Sequence, residues 1–119
     1  MTLKRMLKGL RTPASELDLD RVRKACADVP GMTPIAEVKA RQEFSAVGEI
    51  SSLRIVPRAG SASLEATITD GTGSLTAVWT GRRQIAGVGP GRRLVVRGRA
   101  NPSGPGGRIL LYNPSYDLL

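Results

Sequence analysis

Residues 66 to 80 read Ala66-Thr67-Ile68-Thr69-Asp70-Gly71-Thr72-Gly73-Ser74-Leu75-Thr76-Ala77-Val78-Trp79-Thr80, and this stretch decides the fold. Apolar and polar residues alternate on both sides of Asp70-Gly71-Thr72-Gly73, the period of a half-buried strand on each side of a turn. An Asp-Gly pair between two such runs is among the strongest hairpin signals, and both glycines are free to take a positive φ. The stretch therefore predicts an antiparallel hairpin with Leu75 and Ala77 toward a core.

Outward from this hairpin the pattern stays β from Gln42 onward. Five candidate strands fall at about 43–56, 62–69, 74–80, 92–100 and 108–113, separated by Gly- and Pro-rich loops. In the first, the apolar positions change phase from Phe44, Ala46 and Ile50 to Leu53 and Ile55. That change predicts a bend near Gly48 or Ser51-Ser52, as in a strand that serves both halves of a curved sheet. In the fourth, Leu94, Val96 and Ala100 alternate with Arg93, Val95, Arg97 and Arg99, so one face is a wet basic stripe and the other, interrupted by Gly98, faces the core. The interval from Gly81 to Gly91 has room for about one helical turn.

The N-terminal third has a different period. Leu3, Met6, Leu7 and Leu10 recur at helical spacing opposite Lys4, Arg5, Lys8 and Arg11, predicting a short amphipathic helix over 2–10 that ends at Thr12-Pro13. Ser15 reads as the N-cap of a second helix with Glu16, Asp18 and Asp20 in its first turn. Its apolar stripe is Leu19, Val22, Cys26 and Val29, and Pro30-Gly31 stops it. Residues 32–41 read as a connector. The organisation expected is an arm and connector over 1–41 and one β domain over 42–119, with the barrel bottom closed by the N-terminal helices.

Composition narrows the function classes. Eighteen Lys and Arg against ten Asp and Glu give a net charge of +8, and fourteen of the eighteen are Arg. Arg suits bidentate contact with phosphate, so an anionic partner is expected, although the same charge also serves solubility. The chain has no His and a single cysteine, Cys26, which leaves no disulfide, no Cys/His metal site and no His-assisted nucleophile within it. Cys26 reads as a small buried hydrophobe. No enzymatic activity, cofactor or metal is expected. No apolar run reaches the roughly 20 residues of a transmembrane helix, and no signal-peptide core follows the basic N-terminus, so a cytoplasmic location is the expectation.

Several further features occur in a recognisable order: a bent first strand with Val47-Gly48-Glu49-Ile50, the Asp70-Gly71-Thr72-Gly73 turn, Leu75-Thr76-Ala77-Val78-Trp79, then Gly89-Pro90-Gly91 before Leu94-Val95-Val96-Arg97-Gly98-Arg99. Over residues 42–119 this order resembles the OB-fold of the nucleic-acid-binding type. It is most similar to the wedge domain of RecG-type branch-migration helicases and the anticodon-binding domain of class II aminoacyl-tRNA synthetases. The ending Ile109-Leu110-Leu111-Tyr112-Asn113-Pro114-Ser115-Tyr116 resembles the last wedge strand. As a whole the chain looks like a small stand-alone OB-fold protein of actinobacterial type. The resemblance implies a mainly β fold, a five-stranded OB-fold Greek-key barrel with short N-terminal helices. No Walker-type phosphate loop is present, so any motor would belong to a partner.

The resemblance further implies a ligand lying across strands two and three, between the loop after strand one and the loop after strand four. The first loop is Pro57-Arg58-Ala59-Gly60-Ser61 and the second Asn101 to Gly107, placing Arg58 and Arg108 where phosphates would pass. The densest cationic set is Arg82, Arg83, Arg92, Arg93, Arg97 and Arg99, which would make affinity steeply salt-dependent or, alternatively, discourage edge-to-edge aggregation. Trp79 is the best aromatic by position for base stacking, but it shares parity with core residues, so a stacked and a buried Trp79 are both open. Tyr112 is expected on the outer side. Strands two and three should present a polar outer face of Glu65, Thr67, Thr69, Thr76, Val78 and Thr80. Asp70 reads as a turn-capping carboxylate. The function expected is non-catalytic binding of single-stranded or branched DNA, or RNA, without strong sequence specificity. The alternatives are a protein-protein interaction module and a membrane-associated adaptor that docks through residues 2–10.

Overall fold

The computed structural model describes residues 18–102 and 107–119. The helix expected over 2–10 and the Ser15 cap lie outside the described residues. Residues 18–27 form a helix, α1. A single 3₁₀ turn over Ile35–Glu37 follows, then six strands: β1 (Glu43–Arg58), β2 (Ser61–Thr69), β3 (Ser74–Thr80), β4 (Arg93–Arg99), β5 (Ile109–Tyr112) and β6 (Ser115–Leu118). They make one mixed sheet in the order β5-β3-β2-β1-β4-β6, in which only β3–β5 is parallel.

The expected hairpin is present. Leu75 pairs Ile68, Ala77 pairs Ala66 and Trp79 pairs Leu64, so the core-facing residues of both strands share one face. Asp70 is buried, and its Oδ1 accepts from Thr72 N at 2.9 Å, Thr72 Oγ1 at 2.6 Å and Gly73 N at 3.2 Å. Of the two turn glycines only Gly71 has a positive φ, +87°. Space at Gly73 is tight, since a Cβ there would lie 3.2 Å from Ala36 N and 3.3 Å from Ile35 Cγ2.

β1 bends where the phase change predicts. Its pairing with β2 slips between Ile50 and Ser52, while residues Glu43 to Glu49 pair β4 and residues Glu49 to Arg58 pair β2. One strand thus runs through both halves of the sheet. At Gly48 the sheet folds so tightly that a Cβ would sit 2.4 Å from Ile68 Cγ2 and 3.0 Å from Thr69 O.

Three expectations are corrected. The sheet has six strands rather than five: Asn113, at φ +49°, accepts a hydrogen bond from Thr80 N on its Oδ1 at 2.9 Å and turns the chain back to lay β6 along β4. Among the described residues no continuous ladder joins β4 to β5. They are linked by the isolated Asn101–Leu110 bridge, with N–H···O distances of 2.9 and 2.8 Å. The Gly81–Gly91 interval forms turns rather than a helical turn, and buries Ile85 in the core.

The third correction concerns α1, which does not close the bottom of the sheet. Val22 and Cys26 pack against Val47 and Val95 on the outer face of β1–β4. Val95 therefore lies buried between exposed Arg93 and Arg97, and the basic stripe of β4 is interrupted. Burial pushes the Cys26 thiol above its ordinary pKa, with the Asp70 charge adding to the effect. Closure of the core falls instead to Ile35 of the connector, 3% exposed, which joins Trp79, Ile85 and Leu111 in one cluster. Ile35 N donates to Asp70 Oδ2 at 2.9 Å, so one carboxylate both shapes the hairpin and anchors the connector. No helix among the described residues is long and apolar enough to cross a membrane.

Candidate nucleic-acid interface

The β1–β4 ladder continues past the strands. Ala100 N donates to Gln42 O at 2.8 Å and Arg41 N donates to Ala100 O at 2.8 Å, with Arg41 at φ +65°. These bonds bring Arg41, from the connector, beside Arg99 at the end of β4. The Asn101–Leu110 bridge then brings up β5, whose outward residue Tyr112 is 46% exposed. Arg41, Arg99, Asn101, Pro102 and Tyr112 line a groove of about 570 Å³. Two guanidinium groups and one accessible aromatic ring thus converge where β4 hands over to β5.

Arg41 was not among the residues expected from sequence. It lies 58 positions before Arg99, and only the β1–β4 register makes them neighbours. The pairing of an Arg just before the first strand with an Arg ending the fourth is the signal that could have found it.

The other expected residues are dispersed. Arg58 ends β1 opposite Ser61. Arg83 lines a separate groove of about 720 Å³ at the β1–β2 turn, together with exposed Ile55, Pro57 and Gly60, and Arg82 is exposed beside it. Arg92 and Arg93 are exposed at the start of β4, at the opposite end of that strand from Arg99. Arg97 is held by Asp117 of β6 at 2.8 Å. Arg108 is exposed at the edge of a groove beside the 3₁₀ turn. Among the described residues no ion pair engages Arg41, Arg82, Arg83, Arg92, Arg93, Arg99 or Arg108.

Trp79 is 5% exposed, and the structure resolves its two readings in favour of the core. Its Nε1 donates to Pro114 O at 3.2 Å and its ring meets Tyr116 edge-on, with centroids 5.6 Å apart. A base has no access to it. Of the outer β2–β3 face, expected as an open polar surface, Glu65, Thr76 and Val78 are buried, Thr67 and Thr69 are half-buried, and Thr80 is exposed. Thr76 and Val78 lie in register with Leu110 and Tyr112 of β5, and Arg54 Nη2 donates to Glu65 Oε1 at 3.1 Å.

No protein-family model and no curated protein sequence matches the chain. Solved structures do. A chain in the structure of RecG bound to a three-way DNA junction is similar with a TM-score of 0.58 at 15% identity, covering 71% of this chain and 12% of that one. A HINb domain is similar with a TM-score of 0.54 at 15% identity, covering 74% and 47%. A chain of the S. pombe Stn1-ten1 complex is similar with a TM-score of 0.52 at 22% identity, covering 71% and 62%. The fold is OB-like. The chain spans less than two thirds of the length of each of these structural neighbours.

Proposed function

We propose that the protein is a non-catalytic binder of nucleic acid, holding single-stranded or branched DNA, or RNA, without strong sequence preference. We read β1 to β5 as the five strands of an OB barrel, with the Asn101–Leu110 bridge as its closing contact and β6 as an addition. The observation that carries the reading is the groove that Arg41 and Arg99, neither ion-paired among the described residues, line together with exposed Tyr112. Cationic groups beside an accessible aromatic are the combination by which single strands are held: phosphates meet the guanidinium groups and a base stacks on the ring. The likeness to part of a RecG chain bound to a three-way DNA junction supports the same class of ligand. A non-catalytic role is supported by the acidic groups, since Asp70 and Glu65 are both engaged in holding the fold.

Fluorescence anisotropy with labelled single-stranded, duplex and forked DNA and with RNA, at low and near-physiological salt, tests the reading. The expected result is binding that weakens as salt rises, and that weakens further when Arg41 and Arg99 are both replaced by Ala. Absence of salt-sensitive binding to every one of these probes would overturn it.

A further inference from the structure

The path of a strand beyond Tyr112 can be traced from how the grooves adjoin. The Arg41–Arg99 groove shares Pro102 with a second groove of about 370 Å³, and Ala40 lines the second where Arg41 lines the first. The two therefore adjoin at Pro102 and the connector. The second groove is lined by half-buried Val38 and Ile109 over buried Ile35, by Thr72 and Ser74, and by exposed Arg108. Meanwhile the middle of the outer β2–β3 face, across which the resemblance would run a ligand, is buried at Ser63, Thr76 and Val78.

We infer that a single strand of nucleic acid leaves Tyr112, passes Arg99 and Arg41, and turns around Pro102 into the Arg108 groove beside the 3₁₀ turn, rather than crossing β2 and β3 to the β1–β2 loop. This rests on the nucleic-acid reading and specifies its site. Arg41 and Arg108 each hold a phosphate, and the apolar lining of Val38 and Ile109 receives a base or sugar. An apolar lining is of use only to a strand whose bases are unpaired, since a duplex presents its phosphates and keeps its bases stacked inside. The preferred ligand is accordingly a single strand.

The test compares the full chain with Arg41→Ala, Arg108→Ala, Arg83→Ala and Arg92→Ala, titrated with labelled single-stranded DNA, single-stranded RNA and a duplex across a salt series. All four side chains are exposed and without ion pairs among the described residues, so each variant should fold, which circular dichroism checks. Loss of Arg41 or Arg108 should each weaken single-strand binding several-fold and reduce the slope of log affinity against log salt by about 0.7, the increment for one phosphate on a single strand. Arg83→Ala and Arg92→Ala should change neither, and the duplex should bind more weakly than either single strand. If the unaltered chain binds but Arg83→Ala weakens binding while Arg108→Ala does not, the path is wrong and the nucleic-acid reading stands. Duplex binding as tight as single-strand binding also overturns the path. If the unaltered chain binds nothing, both fall together.

Discussion

The arginines of the helix-covered side and those of the Tyr112 groove differ in what they face. On the first side Arg21 of α1 reaches both carboxylate oxygens of Glu49 on β1, at 3.2 and 3.1 Å, while Arg23 holds Asp20 and donates to Gly71 O at 3.2 Å. Farther along β4, Arg97 holds Asp117. Each of these charges ties one element to another. Around that groove Arg41 and Arg99, and at the adjoining groove Arg108, are also exposed and have no acidic partner among the described residues. Sequence position does not separate the two sets, since Arg97 and Arg99 are two residues apart on one strand. Their neighbours across the sheet do: Arg97 lies opposite Ser115 of β6, next to Asp117, whereas Arg99 lies beyond the end of β6. A basic side chain that the fold leaves unpaired is available to an outside anion.

The largest expected effect comes from breaking the frame that keeps the two sides apart. Gly48→Val forces side-chain atoms into Ile68 and the Thr69 carbonyl at the bend of β1, where backbone leaves no way to yield. Overpacking of this kind costs about 3 kcal/mol, a large fraction of the stability of a small domain. Chemical denaturation should show a much lower midpoint or no cooperative transition. Next in size is Asp70→Ala, which removes the acceptor for Ile35 N, Thr72 N and Gly73 N in a buried site. Leaving buried N–H groups unpaired costs about 2 kcal/mol. Because the connector that Ile35 anchors also lines the Arg108 groove, this variant should lose stability and single-strand affinity together, measured by denaturation and anisotropy on the same preparation.

How much of this was legible in the sequence follows from the range of the interactions. The 66–80 hairpin and the bend of β1 are written in local periodicity, and the structure has both; of the stripe expected for the helix, Val22 and Cys26 are buried, Leu19 is exposed and Val29 lies beyond the end of α1. The groove is not local. Arg41 meets Arg99 through strand register, and a single sequence carries no register across 58 positions. Trp79 had the parity of a core residue, and its burial followed parity rather than its attraction as a stacking residue. β6 escaped because its four residues contain only half-buried Tyr116 and Leu118 and follow Pro114, a composition that reads as a tail until Asn113 turns it onto β4. The role of Ile35 was hidden because one isolated apolar residue in a Pro-containing connector has no period to reveal it.

Smaller effects sharpen the comparison at the groove itself. Tyr112→Ala removes the exposed aromatic while its backbone stays in the β3–β5 ladder opposite Val78. Stacking on an aromatic is worth about 1–3 kcal/mol per base, so anisotropy should show affinity for single strands falling about tenfold or more. Its salt dependence should not change, since no charge is lost. An unaltered affinity would leave the groove with charge alone and remove the reason to prefer single strands.

The smallest effect tests the comparison most directly. Arg97 and Arg99 project from the same face of β4, and Arg97 differs in having Asp117 at 2.8 Å. Both members of that pair are well exposed, so Arg97→Ala should cost less than about 1 kcal/mol of stability, read as a small shift in the denaturation midpoint. It also frees Asp117, so the net charge near the groove falls by one, as it does in Arg99→Ala. If long-range charge alone governed binding, the two variants would lose affinity equally. Contact within the groove predicts that Arg99→Ala loses several-fold and a share of the salt slope, while Arg97→Ala retains both within error. Equal losses would mean that the unpaired arginines act as a general positive field, and the pairing that distinguishes the two regions would then have no bearing on binding.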